Sequence, residues 1–508
     1  MQLRPMVLND WHCNNFHKVN RKFIRLKHSS ISSDSYYGPY FIIVLVVSIF
    51  CIVLLLLVPT LIVPLQIFLG IIALVTWILL GGKNWWMAFP CMATFGGYFT
   101  VGFKIFPDEA GLLLSVLALI PAIIKGKQKI IRDRIQISWA FKALISYFIL
   151  HLAVSLYYAD ADLLSGAGSI IRTYSKGLTY LLFCWLFYKY GNTKNLKIAL
   201  SIVFFIILIR IIIAVSFFLS SDFNINSGTG IFVFQSTDDL RASAILNMLI
   251  AIILFYISKN KRLRAAIIID ILLMIPLVLI GQGRVSVAMA AVILILWLAI
   301  EKKIKHLLMF SVMVFLLFAL LYNNLGVLQQ LSPQAQRALS FLPGFQPSAS
   351  LGIESSDEWH FDLMEKGYEK WVDSWHSILF GNRIISTGIY EFEYLDAISK
   401  LEIAAGMARY ESTLWMTVAT LGLCGLVLYV VIFIFLFRNI IPVLMKEGIP
   451  DFKHAVYATA FISLILMLLF CWITGGFPRY ELMFGVLAKT MCEDDKLRSI
   501  KSDHASAQ

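Results

Sequence analysis

The chain begins with a polar, basic head and then alternates long apolar runs with short polar breaks. Tyr40 to Val58 holds nineteen residues without a charge, and later runs approach or pass the roughly 20 residues that span hydrocarbon. In lipid every backbone polar group must be bonded internally, so the runs are expected to be helices. The alternating segments of a β-barrel are absent. The first run is too long for a signal-peptide core and is read as a retained helix. Spans are expected near 40–58, 61–80, 85–105, 109–124, 136–157, 169–188, 198–219, 241–257, 265–281, 285–300, 307–324, 411–437, 455–474 and 480–491, the last being short.

The fold class is therefore all-α, a polytopic transmembrane helix bundle of about 12–14 spans. The chain divides into a basic tail (1–39), a first part of the bundle (40–324), a large outer loop carrying amphipathic helices (325–410), a second part of the bundle (411–491) and a short tail (492–508). A loop of this length in a membrane domain is usually a functional lid or a small domain. Its Pro/Gly/Ser-rich opening, Ser332 to Gly352, reads as irregular. Ser355 and Glu358 then form a capping box at a helix start. Phe361, Met364, Tyr368, Trp371, Trp375 and Leu379 follow at helical spacing and make one apolar stripe that ends at Gly381–Asn382. Trp371 and Trp375 either lie at headgroup level above a substrate cavity, where their faces suit sugar rings, or pack the loop onto the bundle.

Composition agrees with this pattern: 59% of residues are hydrophobic and 15% charged, against roughly 45–50% and 25% in soluble domains. The net charge of +12 raises the question of nucleic acid. Most of the Lys and Arg residues, however, fall before Tyr40 or in the alternate breaks at 125–134, 189–197, 259–264, 302–305 and 438–453, and after 488. By the positive-inside rule these segments are cytoplasmic, so both termini are expected inside and no nucleic-acid partner is needed. Seven cysteines form no zinc pattern, and none lies in the outer loop. No metal or cofactor is expected.

Arginine in or beside a span is costly and marks a functional site by default. Arg210 interrupts an isoleucine-rich run, Arg241 follows Asp238–Asp239, Arg284 lies in a Gly-Gln-Gly-Arg turn, and Arg172 follows a Gly/Ser stretch. Arg241 also reads as an interfacial ion pair, and Arg172 as snorkelling to headgroups. Convergent guanidinium groups would bind an anion bidentately, and on the outer face that anion is a lipid phosphate or pyrophosphate. No Walker-A, GxGxxG or HExxH motif offers nucleotide or zinc-protease chemistry.

Three segments together resemble the O-antigen ligase/polymerase family of bacterial envelope glycosyltransferases. GQGRVSVAMAAVILILWL (281–298) is similar to the family's arginine turn opening an apolar span. DEWHFDLMEKGYEKWVDSWHSILFGN (357–382) is similar to the amphipathic helix and glycine turn of its outer loop. ESTLWMTVATLGLCGLVLYV (411–430) resembles the pattern His-Asn-x-x-L…G-L-x-G-L on the helix after that loop, with Glu411 and Ser412 in place of His and Asn.

The resemblance implies a multi-pass enzyme of the bacterial inner membrane that polymerises or ligates polyprenyl-pyrophosphate-linked glycan in O-antigen or exopolysaccharide biosynthesis. A chain-length regulator or other polysaccharide-assembly proteins would be its partners. Catalytic roles would fall to Arg284 and Glu411, and substrate contacts to Arg241, Arg210, Arg172, Trp371, Trp375 and Arg383. Two alternatives remain open. One is a polysaccharide or lipid transporter. The other is a glycosyltransferase that uses polyprenyl-phosphate sugars, with Asp108–Glu109 as its acidic loop.

Overall fold

The computed structural model describes residues 107–124, 138–158, 164–191, 196–197, 200, 204, 237–258, 260–280, 284–330, 336, 340, 345, 353–384, 410, 412–438, 440–445, 451–473, 477–479 and 481–493. Every described residue belongs to one compact unit, Ile62–Gln508. The expected spans 40–58, 61–80 and 85–105, most of 198–219, the first tail, the second tail beyond 493 and much of the outer loop lie outside the described residues.

Among the described residues all regular structure is helical. The helices are α1 (Pro107–Ile124), α2 (Ser138–Tyr157), α3 (Leu164–Tyr190), α4 (Thr237–Ile257), α5 (Lys261–Ile280), α6 (Arg284–Ile300), α7 (Ile304–Asn323), α8 (Leu325–Leu328), α9 (Ile353–Val372), α10 (Trp375–Phe380), α11 (Thr413–Phe437), α12 (Ile440–Met445), α13 (Phe452–Phe470) and α14 (481–493). Four stretches are long and apolar enough to cross a membrane: Trp139–Tyr157, Ile304–Asn323, Thr413–Leu444 and Phe452–Phe470. Ala244–Ile257 and Val285–Ile300 are shorter apolar helices.

Side-chain caps set several of the helix starts. Asp451 accepts the His454 N–H at 2.9 Å, Ser374 that of Ser377 at 3.1 Å, and Ser412 that of Trp415 at 3.3 Å. Helices α4 and α5 pair most extensively, and α13 and α6 pack on α4. Helix α2 lies between α3 and α11, and α9 and α10 both lean on α11. Among the described residues α7 packs chiefly on α6 and carries many exposed apolar side chains, including Leu308, Met309, Val312, Phe315 and Leu316. Such a helix suits hydrocarbon, which is as apolar as leucine itself.

Several boundaries differ from expectation. Helix α3 starts at Leu164, so the Gly/Ser stretch is helical and Arg172 sits two turns inside it. Gly is well tolerated in membrane helices. Asp108 and Glu109 occupy the first turn of α1, opened by Pro107, and not a loop. The stripe expected as one helix is two, because Ser374 caps a new helix after Val372. Ser355 falls inside α9, which begins at Ile353, so the capping box does not mark its start.

Candidate functional site

The packed face of α9 is not the expected apolar stripe. Leu363 and Gly367 are buried, and a Cβ on Gly367 would meet Tyr410 and Trp415 at 3.0–3.1 Å. Trp371 joins this face: its ring centroid lies 6.1 Å from that of Trp415, and its indole N–H donates to Ile378 O at 3.3 Å. Trp415 is also flanked by Tyr368 and Trp472. Phe361, Trp375, Leu379 and Phe380 face outward instead, with Trp375 80% exposed. The two tryptophans therefore separate. Trp371 packs α9 on α11, and Trp375 stands largely exposed.

Beyond α10 the chain crosses α11 at very close range. Gly381 has φ 78° and ψ −175°. Gly422, inside α11, has φ 62° and ψ −169°, and it breaks the helix there. Both conformations belong to a region essentially reserved for glycine. The two backbones touch: a Cβ on Gly422 would lie 2.4 Å from Leu379 O, and one on Gly381 would lie 2.3 Å from Thr420 O.

Asn382 locks the crossing. Its backbone N–H donates to Ala419 O at 2.7 Å, its Nδ2 donates to Lys370 O at 2.6 Å, and its Oδ1 accepts from Ser377 Oγ at 2.9 Å. Leu421 is the ninth residue of α11, about 12 Å from the helix start at 1.5 Å per residue. The break is thus deep in a span, where irregular backbone persists only if protein satisfies it.

One face of α2 supplies that satisfaction. Tyr147, His151, Ser155 and Tyr158 recur at spacings of 4, 4 and 3 along it. The Tyr147 hydroxyl lies 2.9 Å from Phe380 O and 3.0 Å from Leu421 O, bridging the two crossing segments. His151 sets its ring edge-on to that of Tyr147 at 4.7 Å. Ser155 Oγ accepts the Ile384 N–H at 3.2 Å and lies 3.2 Å from the Tyr174 hydroxyl of α3. The Arg383 guanidinium stacks over the Tyr158 ring at 4.6 Å. Residues 380–384 are thereby fastened along α2. Tyr147→Phe removes the shared donor from two carbonyls, and a loss of about 1–3 kcal/mol is expected. Thermal unfolding in nanodiscs, with hydrogen exchange at 380–384, measures it.

Comparison with known proteins returns no match. No family model, no curated protein and no solved structure corresponds to the chain. The resemblance drawn from motifs therefore rests on its three segments alone.

The expected site residues are placed unevenly. Glu411 and Arg210 lie outside the described residues. Arg172, Arg241 and Arg284 stand on α3, α4 and α6, but their side chains lie outside the described set. On either side of Glu411 the chain is well ordered by contacts. Tyr410 is buried, which pushes its phenol well above the ordinary range. Ser412 is fully buried and donates to Cys471 O at 3.1 Å, while Leu414 N–H donates to the same carbonyl at 3.2 Å. Trp371 and Arg383 share the crossing, on α9 and at the α2 face respectively.

Sequence reasoning missed Tyr147, His151, Asn382 and the Gly381–Gly422 contact. The α2 spacing of 4, 4 and 3 was the available signal for the first two. It also missed that Phe477, between α13 and α14, is buried: it packs on Phe148 at 4.9 Å, and a Cβ on Gly177 would meet it at 3.1 Å. Just after it, Arg479 donates its backbone N–H to Glu481 Oε2 at 2.9 Å. Among the described residues no group of three or more His, Cys, Asp and Glu side chains is placed to hold a metal ion. The chemistry offered here is hydrogen bonding and cation–aromatic contact.

Proposed function

We propose that the protein is an integral-membrane glycosyltransferase that polymerises, or ligates, polyprenyl-pyrophosphate-linked oligosaccharide on the outer face of a bacterial inner membrane. In this reading about 12–14 spans cross the bilayer, both termini are cytoplasmic, and the loop containing α9 and α10 lies outside. One observation carries it. Two of the segments that bear the family resemblance, 357–382 and 411–430, meet backbone to backbone at Gly381 and Gly422. Parts that would have to act together are joined, and the chain on either side of Glu411 is held beside the Trp371–Trp415 cluster.

Ser412 caps α11, a position that serine and asparagine both favour, which suits its alignment with the family's asparagine. The pyrophosphate would rest on Arg284, helped by Arg241 or Arg210. An acceptor hydroxyl of a second lipid-linked chain would attack the anomeric carbon as Glu411 takes its proton. Polyprenyl pyrophosphate leaves, with arginine stabilising its charge. The donor arrives activated, so neither nucleotide nor metal is required.

Deleting the gene and analysing the glycan tests this. Single repeat units accumulating on lipid indicate a polymerase, and long chains left unattached indicate a ligase. Unchanged glycan overturns both. A transporter is the second reading, favoured by the break in α11, since broken helices are how transporters expose backbone to cargo. It predicts lipid-linked glycan trapped on the cytoplasmic face instead.

A further inference from the structure

Asp270 stands at the middle of α5, nine residues from Lys261 and ten from Ile280. Asn247 stands ten residues from either end of α4. At 1.5 Å per residue each lies about 14–15 Å from the ends of its helix. Asn247 is fully buried and Asp270 is 7% exposed. The Asn247 Nδ2 donates to Asp270 Oδ2 at 2.9 Å. The remaining oxygen of each, Asn247 Oδ1 and Asp270 Oδ1, is buried without a hydrogen-bond partner.

Among the described residues no counter-charge lies at this depth. On α4 the titratable residues are Asp238, Asp239 and Arg241 near its start and Tyr256 near its end, and on α6 only Arg284, its first residue. Helix α13, packed on α4 and α6, brings Lys453, His454 and Tyr457, all within its first two turns. On α5 itself Lys261, Arg262 and Arg264 stand in the first turn, and Arg264 donates to Ser258 O at 2.7 Å. An ionisable group at the centre of a span, facing protein and not lipid, is a site by default. Its partner here is an amide, which can donate or accept.

We propose that Asp270 and Asn247 form a proton-binding site at mid-length of the α4–α5 pair. With the carboxyl ionised, the amide N–H donates to it, as seen. When a proton from water joins Asp270, the new hydroxyl donates to Asn247 Oδ1 after the amide turns over. One hydrogen bond links α4 and α5 in both states, so the proton enters and leaves without unpacking the helices. A metal ion fits poorly, because both helices are continuous and only two side-chain oxygens are free to replace its hydration shell. The site is independent of glycosyl transfer and gives the bundle a group whose charge follows proton activity.

Infrared difference spectra of the purified full chain in lipid nanodiscs, recorded across pH, provide the test. A carboxylic-acid carbonyl band that weakens as pH rises is expected. It should shift with carbon-13-labelled aspartate, vanish in Asp270→Asn and change frequency in Asn247→Leu. Asp270→Glu keeps a carboxyl at the site and should retain the band while losing its shift with labelled aspartate, which keeps the test decisive if Asp270→Asn fails to fold. No aspartic-acid band at any pH, a band that does not vary with pH, or one that survives Asp270→Asn overturns the proposal.

Discussion

Replacing Gly422 with alanine is expected to prevent the bundle from closing around the loop helix. The new Cβ would lie 2.4 Å from Leu379 O and 2.5 Å from Gly381 N, both backbone atoms, so no side-chain rotation relieves the contact. The backbone conformation at φ 62°, ψ −169° adds about 1–3 kcal/mol of its own. Forcing extra volume into a packed site adds typically about 1–3 kcal/mol more. Together these consume a large share of a domain's marginal stability. Gly381→Ala should behave alike, since its Cβ would meet Thr420 O and Leu421 N. By contrast Gly326→Ala, where a Cβ meets nothing within 4 Å, serves as the control. Detergent-extracted yield, monodispersity and thermal unfolding measure all three. A Gly422→Ala protein as stable as the control would show that the crossing does not form.

On the glycosyl-transfer reading, the second large effect falls on Arg284 and Glu411. Removing a charge-stabilising donor typically lowers turnover about 10²–10³-fold, and removing a general base about 10²–10⁴-fold. Arg284→Ala and Glu411→Ala are therefore expected to abolish visible polymer at wild-type expression. Glu411→Gln, which keeps shape and loses basicity, should resemble Glu411→Ala. Activity of the purified protein should survive EDTA. Normal glycan in the two alanine variants would remove both residues from the site.

Among the described residues the helices fall where apolar runs were expected, because such a run has one stable outcome in hydrocarbon. The expected span 136–157 is matched by Ser138–Tyr157, and 411–437 by Thr413–Phe437. Faces were less legible. In a membrane the outward side of a helix is as apolar as the packed side, so periodicity does not separate Trp371 from Trp375 or mark α7 as outward-facing. The crossing was hidden for a different reason. Gly422 sits in an unbroken apolar run, and nothing in Leu-Gly-Leu-Cys-Gly distinguishes a helix break from close packing. Asp270 was overlooked between isoleucines and leucines, because a single acid barely alters the average over a span. The arginine pattern located residues without showing what surrounds them.

The crossing also constrains the order of assembly. Before residues 380–384 and α2 dock, the carbonyls of Ala419 and Leu421 lack the Asn382 and Tyr147 donors that satisfy them in the finished protein. An unsatisfied carbonyl in hydrocarbon costs several kcal/mol. Helix α11 is therefore best inserted unbroken, its own N–H groups engaging those carbonyls, and it opens at Gly422 only as the preceding loop arrives. Insertion into the bilayer and completion of the fold are then separate events, and the second waits on a segment translated before α11 itself.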